Sequence, residues 1–422
     1  MPLSAFPTPV PHLPLGAVGA AAAIGATFLI HIALVGFILG ATALAPFMEL
    51  AGRRRGGDPR HLRYARRLAH ATVYLYSFGA TWAVFAVVLL TGIYGNLIGT
   101  LLNLLLLPLT IAFGSFFIGI PLLLLYVYRW DQLAPRLHLA VGFGFAAVQY
   151  VFLFTIVELD SYALDPGSLH ATSAAFSPSY PWLLLHYLGA NISWPALLLA
   201  ALAIWRLRRA SDPAEVAFQR WAARINFTIG AAFLLVQPVT GFLLALTIQQ
   251  NSAPAFAALT TSGSGWMLVG QVGLLAVVVV GANLVFWQHS PAASRSQAGA
   301  GLTAVALLGM AGAALPQVVI PAGMVALRYV LLLIAFVATL VHLVRFARER
   351  RRGGDALGIR APAQRAIAVL GVAALVLTLY MGVIKENIKL PCAIDAPSGH
   401  SACLMTLHAA TRNFNPPRGV LP

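Results

Sequence analysis

Acidic side chains are the scarcest feature of this chain: 12 Asp and Glu among 422 residues, within a total of 9% charged residues. Soluble domains carry about a quarter charged residues, so the composition excludes an ordinary water-soluble domain. Cysteine is almost absent, with Cys392 and Cys403 the only two. No Cys-x-x-Cys-His is present, which excludes an ordinary c-type haem attachment. Walker, HExxH and Gly-rich phosphate-loop patterns are missing too. The opening stretch "MPLSAFPTPVPHLPLGAVG" lacks a basic n-region, and its prolines suit a short arm on the polar side better than a cleaved signal.

Apolar sequence fills the space. Hydrophobic residues make up 59% of the chain and mean hydropathy is +0.83. Each bilayer-spanning helix needs about 20 apolar residues and satisfies its own backbone. Ten such runs are readable, near 17–48, 69–94, 98–128, 138–158, 181–205, 224–248, 265–287, 301–319, 322–346 and 364–384. The eighth is the weakest, rich in Gly and Ala and closed by Pro316. The expected fold is all-α: a polytopic transmembrane helix bundle of about ten spans. Residues 1–384 would form the membrane domain and 385–422 a C-terminal tail.

Net charge is +15, yet its distribution argues against a nucleic-acid partner. The arginines gather in "GRRRGGDPRHLRYARR", "YRWDQLAPRLH", "RLRRASDPAEVAFQRWAAR" and "RFARERRRGGDALGIRAPAQR", after runs one, three, five and nine. That is the pattern of positive-inside loops. It predicts both termini outside, in the periplasm of a bacterial inner membrane. Both cysteines would then face an oxidising compartment, close enough to form a disulfide.

Ionisable groups within apolar runs are costly and usually functional. His31 lies midway along run one. His186 lies just inside the outer end of run five. Glu386 follows run ten at once, with Lys385 and Lys389 beside it. Each histidine taken singly reads as a packed ring or as a haem-iron ligand; two near one face, with a lone carboxylate, tilt toward haem. His70, His138 and His342 sit at inner helix ends, where a half-polar ring is comfortable and where two of them are a less favoured alternative for an inner haem.

These residues resemble subunit I of the cytochrome bd quinol oxidases. "HIALVGFILGATALAPFME" is similar to that family's first core helix in its His, Gly and closing Met48-Glu49. "LPLTIAFGSFFIGIPLLLLYVYRWDQLAPRLH" resembles the third helix and the Trp-Asp-x-Leu loop after it, and "LLLHYLGANISWPALLLAALAIW" the fifth helix. "GVIKENIKLPCAI" resembles a Glu-x-x-Arg-x-Pro-Trp stretch, with Lys389 for the Arg and Cys392 for the Trp. The likeness covers 20–250 and 322–394. It implies that His31 ligates one haem of the oxygen-reducing pair, Glu386 the other, and His186 the low-spin haem b near the quinol site. An interfacial carboxylate paired with Lys385 or Lys389 is the competing reading of Glu386.

Departures from the family are as informative. Where it places the low-spin haem's Met after an Arg, Arg328 is followed by Tyr329 and Val330, and Met324 stands a turn and a half outward. The family's two third-helix glutamates fall at about Ala112 and Gly119. No Asp or Glu lies in the interior of a run, so a carboxylate proton relay is expected to be missing. The long quinol-binding loop after helix six is missing as well, and two apolar runs occupy 265–319. The expectation is therefore a membrane subunit with one to three haem b groups. It would pass electrons between a quinol, the quinone site itself being open, and an outer-face partner such as a cytochrome c or a second membrane subunit. A terminal quinol oxidase reducing oxygen and a haem-free structural subunit are the alternatives.

Overall fold

The computed structural model describes residues 15–54, 56–164, 175–251, 256, 265–289, 297–315, 325–353 and 361–394. Its described elements are all helices: α1 (Gly16–Arg53), α2 (Pro59–Leu104), α3 (Leu106–Tyr128), α4 (Pro135–Leu164), α5 (Tyr180–Leu207), α6 (Pro213–Leu234), α7 (Gln237–Asn251), α8 (Gly265–His289), α9 (Gln297–Ala313), α10 (Val325–Gly353) and α11 (Ala361–Ile394). Among the described residues nine helical stretches are long and apolar enough to cross a membrane, with α6 and α7 counted as one and α9 shorter than the rest. The chain is a multi-pass helical membrane protein, as the ten apolar runs required.

Helix ends differ from the apolar runs where lipid physics overrides local punctuation. A break was expected between runs two and three, near 95–97. The structure carries α2 through it, and the junction falls at buried Leu105. Backbone polar groups in hydrocarbon have no water to bond, so a helix persists past Gly95, Asn96 and Gly99. Run six instead splits into α6 and α7 before Gln237 and Pro238, since Pro238 has no N–H to continue the ladder. The last helix runs on through Lys385, Glu386, Lys389 and Cys392 to Ile394, so Glu386 stands within a helix and not in a tail after it.

The helices sort into two groups with a central pillar. In the first, α1 packs on α2 and α4, while α3 packs on α2 and α4. In the second, α8 packs on α9, α10 and α11, and α9 on α10. α5 stands between them, in contact with α1, α4, α6, α7 and α11. Small residues permit the close crossings, as in membrane bundles generally. A Cβ on Gly40 of α1 would collide with the Asn191 carbonyl of α5, and one on Gly371 of α11 would lie 2.5 Å from the Leu197 carbonyl. The outer surface is apolar: Phe78, Val84, Phe113, Phe117, Leu308 and Val369 are exposed, as lipid-facing side chains should be.

Ion pairs gather the basic loops at one end. Arg66 of α2 bonds Asp131 between α3 and α4, at 2.8 Å. Arg63 and Arg67 both bond Glu215 at the start of α6. Buried Tyr64 donates to Asn226 of α6 at 2.6 Å. Phe346, near the end of α10, meets Phe227 of α6, which places the fourth basic stretch at the same end.

Candidate functional site

The sequence-predicted ligands lie on the three helices that meet at the centre. α1 and α5 cross where Gly36 faces Asn191 and Trp194. Both helices run toward the basic end, so an equal step back along each reaches His31 and His186. α11 runs the other way: Gly371 abuts Leu197 and Ala201 of α5, and Gly382 abuts Leu29 and Ile32 of α1. One turn beyond Gly382 is Glu386. The register puts all three positions at one height in the bundle, to within roughly one helical turn. That height lies in the half of the molecule away from the basic loops.

The rings have different surroundings. His31 is half-buried, with the Phe28 ring set edge-on to it and the two ring centroids 6.2 Å apart. His186 turns toward α7. Its Nδ1 lies 3.1 Å from Thr240 Oγ1, and its backbone carbonyl accepts from Gln237 Nε2 at 3.2 Å. Because Thr240 Oγ1 already donates to the Val236 carbonyl at 3.1 Å, the hydroxyl proton is committed, and the geometry favours His186 Nδ1–H as donor. Gly241 lies alongside, where a Cβ would be 3.3 Å from His186 Cε1. Among the described residues Nε2 has no hydrogen-bond partner. An imidazole fixed at Nδ1 with Nε2 left over is the donor arrangement that metal-ligating histidines use. The residues therefore fit a haem at this position.

The break before α7 belongs to this neighbourhood. Gln237 and Val236, at the discontinuity, pack over Gly189 of α5, one turn from His186. The second group of helices reaches the same place through α10, where Tyr329 meets Phe242 of α7 at 5.4 Å. Its neighbour Arg328 is buried and donates to the Leu315 carbonyl at 2.5 Å. His186 and Tyr329 thus both contact α7. Met324 and Cys403, and the side chains of Glu386, Lys389 and Cys392, lie outside the described residues.

A second polar centre, near the basic end, was not singled out from the sequence. Glu49 of α1 and His138 of α4 are fully buried. Glu49 Oε1 lies 2.7 Å from His138 Nδ1 and accepts from Arg53 Nε at 2.6 Å. His138 Nε2 donates to the Tyr126 carbonyl at 2.8 Å. A carbonyl only accepts, so Nε2 carries a proton, and the Nδ1–Glu49 contact holds one more between imidazole and carboxylate. With both ring nitrogens used, His138 has none left for iron, which removes it from an inner haem. His342 is likewise buried, against Asn283 Oδ1 at 3.0 Å, and that Asn donates to Thr339 at 2.8 Å. His70 is exposed.

The expected lack of carboxylates inside the helices is corrected here. Glu158 closes the fourth apolar run, and α1 extends to Arg53 and α4 to Leu164, so Glu49, Glu158 and Asp160 are all helical, and Glu49 and Glu158 are buried. Arg53 and His138 make the placement of Glu49 tolerable, and Tyr187 donates to Asp160 at 3.0 Å. The third helix itself remains without acids. Gly119 instead faces the amide of Gln149, whose Nε2 lies 3.2 Å from Tyr76 Oη. A Cβ at 119 would collide with that amide, so a neutral amide–phenol pair fills the position.

A helical bundle with nine candidate membrane spans among the described residues, and with His31 and His186 at one height of two central helices, defines the class: a multi-pass helical membrane protein. Comparison narrows it: the model of cytochrome bd terminal oxidase subunit I matches residues 20–269. The chain belongs to the cytochrome bd terminal oxidase subunit I family, and so to the membrane subunits of respiratory oxidases. A solved structure, that of bd oxidase from Geobacillus thermodenitrificans, superposes with a TM-score of 0.52 over 88% of this chain and 98% of that chain, at 15% sequence identity. At that identity the likeness speaks for the fold. No curated protein matches the chain.

Proposed function

We propose that this chain is a haem-b electron-transfer subunit that carries electrons between quinol and a redox partner at the face away from the basic loops. The convergence of α1, α5 and α11, with His31, His186 and Glu386 at one height, carries this reading. His31 and His186 would each hold a haem iron through an imidazole nitrogen, and Glu386 would supply an anionic oxygen to a third. Haem bound there supplies one-electron chemistry. The chain's own part is orientation and exclusion of water: Thr240 fixes the His186 ring, Gly241 leaves the space beside it, and Phe28 shields His31. Arg328 and Lys389 would place positive charge near haem propionates, and Met324 is the remaining soft donor for the low-spin iron.

The neutral Gln149–Tyr76 pair favours electron transfer over oxygen reduction. Reducing oxygen needs four protons, and beside Gly119 of the third helix stand an amide from α4 and a phenol from α2 where the family resemblance calls for acids. The segment from 385 onward is read as the outward-facing end, with Cys392 and Cys403 disulfide-linked, docking a cytochrome c or a second membrane subunit.

The pyridine hemochrome assay on purified protein, with His31→Ala and His186→Ala variants, tests the reading. Each variant should lose one b-type haem per chain and keep its membrane insertion. An unchanged haem-to-protein ratio in either variant overturns that ligand. A chlorin band in the wild-type visible spectrum would favour the oxidase instead, and a spectrum without haem the structural subunit.

A further inference from the structure

A cavity of about 750 Å³ opens at the basic end, between the start of α2, the end of α5 and the start of α6. It lies on the opposite half of the bundle from His31, His186 and Glu386 and serves none of the roles described above. Its lining is Arg63, Arg66, Arg67, His70, Tyr74, Arg206 and Glu215, together with Ala71. The α2 residues follow helical spacing, so one face of that helix presents a column of cations with a phenol one turn deeper.

The charges do not cancel. Glu215 is shared by Arg63 and Arg67, and Asp131 engages Arg66. Two carboxylates thus oppose four guanidiniums, and Arg206 has no polar side-chain partner among the described residues. Arginines kept side by side around an open cavity repel one another unless an anion joins them, and the guanidinium fork matches phosphate oxygens in pairs. His70 adds a donor, and the exposed Tyr74 hydroxyl another. Deeper along the same surface, Phe78 of α2 is exposed, and beside the cavity Trp205 of α5 is exposed with Arg209 stacked 3.8 Å over its ring. A ligand seated here therefore meets cations at one end and an apolar, lipid-facing wall at the other.

We propose that this cavity binds a phosphate group, supplied by the headgroup of an anionic phospholipid whose acyl chains lie along Tyr74 and Phe78. Basic pockets between helices at this depth suit such headgroups. The site would anchor the junction of α2, α5 and α6 to the surrounding leaflet.

The test uses the full-length protein, purified in detergent and delipidated, with thermal unfolding as one readout and native mass spectrometry as the other. Phosphatidylglycerol should raise the unfolding temperature and remain bound at one per chain, while phosphatidylcholine at the same concentration should do neither. Inorganic phosphate distinguishes the source: a lipid site responds to it weakly, and an equal response overturns the lipid assignment. The double variant Arg66→Gln with Arg206→Gln, both side chains exposed, should bind phosphatidylglycerol about tenfold more weakly or worse. Arg348→Gln, an exposed cation of α10 outside the cavity, should bind like the parent. Equal stabilisation by phosphatidylcholine, or undiminished retention in the double variant, overturns the proposal.

Discussion

The two ends of the bundle treat an imidazole set between helices differently. Near the basic end, His138 spends both ring nitrogens inside the protein, on Glu49 and the Tyr126 carbonyl, and its rings pack on Tyr126 and Trp130. At the opposite height, His186 spends only Nδ1, on Thr240. Hydrocarbon penalises any unsatisfied polar atom. A histidine whose bonds close within the fold needs nothing else and ties helices together. One that keeps a nitrogen over needs a further partner, and iron is the partner that the family suggests. The difference lies in the neighbours, since both residues are single histidines in apolar helices.

The sharpest way to break this contrast is at the closed centre. Glu49→Ala strands Arg53 and His138 without their carboxylate, and His138→Ala leaves buried Glu49 with Arg53 alone. Each should cost about 3–5 kcal/mol, the scale for breaking a buried pair from one side. Thermal unfolding in detergent measures it. The double variant should cost less than the two single losses combined, because the stranded partner is gone. Additive losses would mean that the pair is not coupled.

The open centre should respond in cofactor and not in fold. Thr240→Val removes the oxygen that orients His186 while nearly conserving volume. Haem held by His186 should bind about 10–100-fold more weakly, the usual effect of removing a ligand's supporting bond, with unfolding of the haem-free protein little changed. Haem titration into that protein decides. Unaltered affinity would place Thr240, and with it the open-nitrogen argument, outside the site.

Glu386→Gln sharpens the comparison at the third helix. An anionic oxygen on iron stabilises the ferric state, so the neutral amide should raise the reduction potential of one haem and shift its spectrum. If Glu386 instead pairs with Lys385 or Lys389 at an interface, the loss is about 0–1 kcal/mol of stability, with every potential unchanged. A redox titration of the variant separates these outcomes.

The smallest effect belongs to an ordinary surface pair, a baseline for both centres. Asp58, between α1 and α2, accepts from Arg60 through its side chain at 2.6 Å and its backbone N–H at 2.9 Å. The Arg60 guanidinium holds the Asp58 carboxyl below its usual range. A carboxylate with a lowered folded-state pKa contributes stability above its unfolded pKa, near 4, and loses it as pH falls through the folded value. Asp58→Asn should therefore cost at most about 1 kcal/mol at neutral pH and nothing in strong acid. Unfolding curves at two pH values check the sign.

Composition and the order of apolar runs and basic stretches determined that this chain is a multi-pass helical membrane protein and that its arginines share one end. Those properties follow from each segment separately: an apolar run in lipid must close its own hydrogen bonds, and a charged loop must stay in water. His31 and His186 stood out as candidates for the same reason, as isolated polar groups in apolar runs. Glu49, Gln149, Thr240 and Asn283 were not, because their roles depend on what crosses beside them. Glu49 reads in the sequence as a helix terminus next to a basic loop, and becomes a buried centre only when α4 brings His138 to it. Thr240 is one of several threonines until the break before α7 turns it toward His186. Meaning of that kind comes from contacts between distant parts of the chain, and only the packing of α1, α4, α5, α7 and α11 decided them.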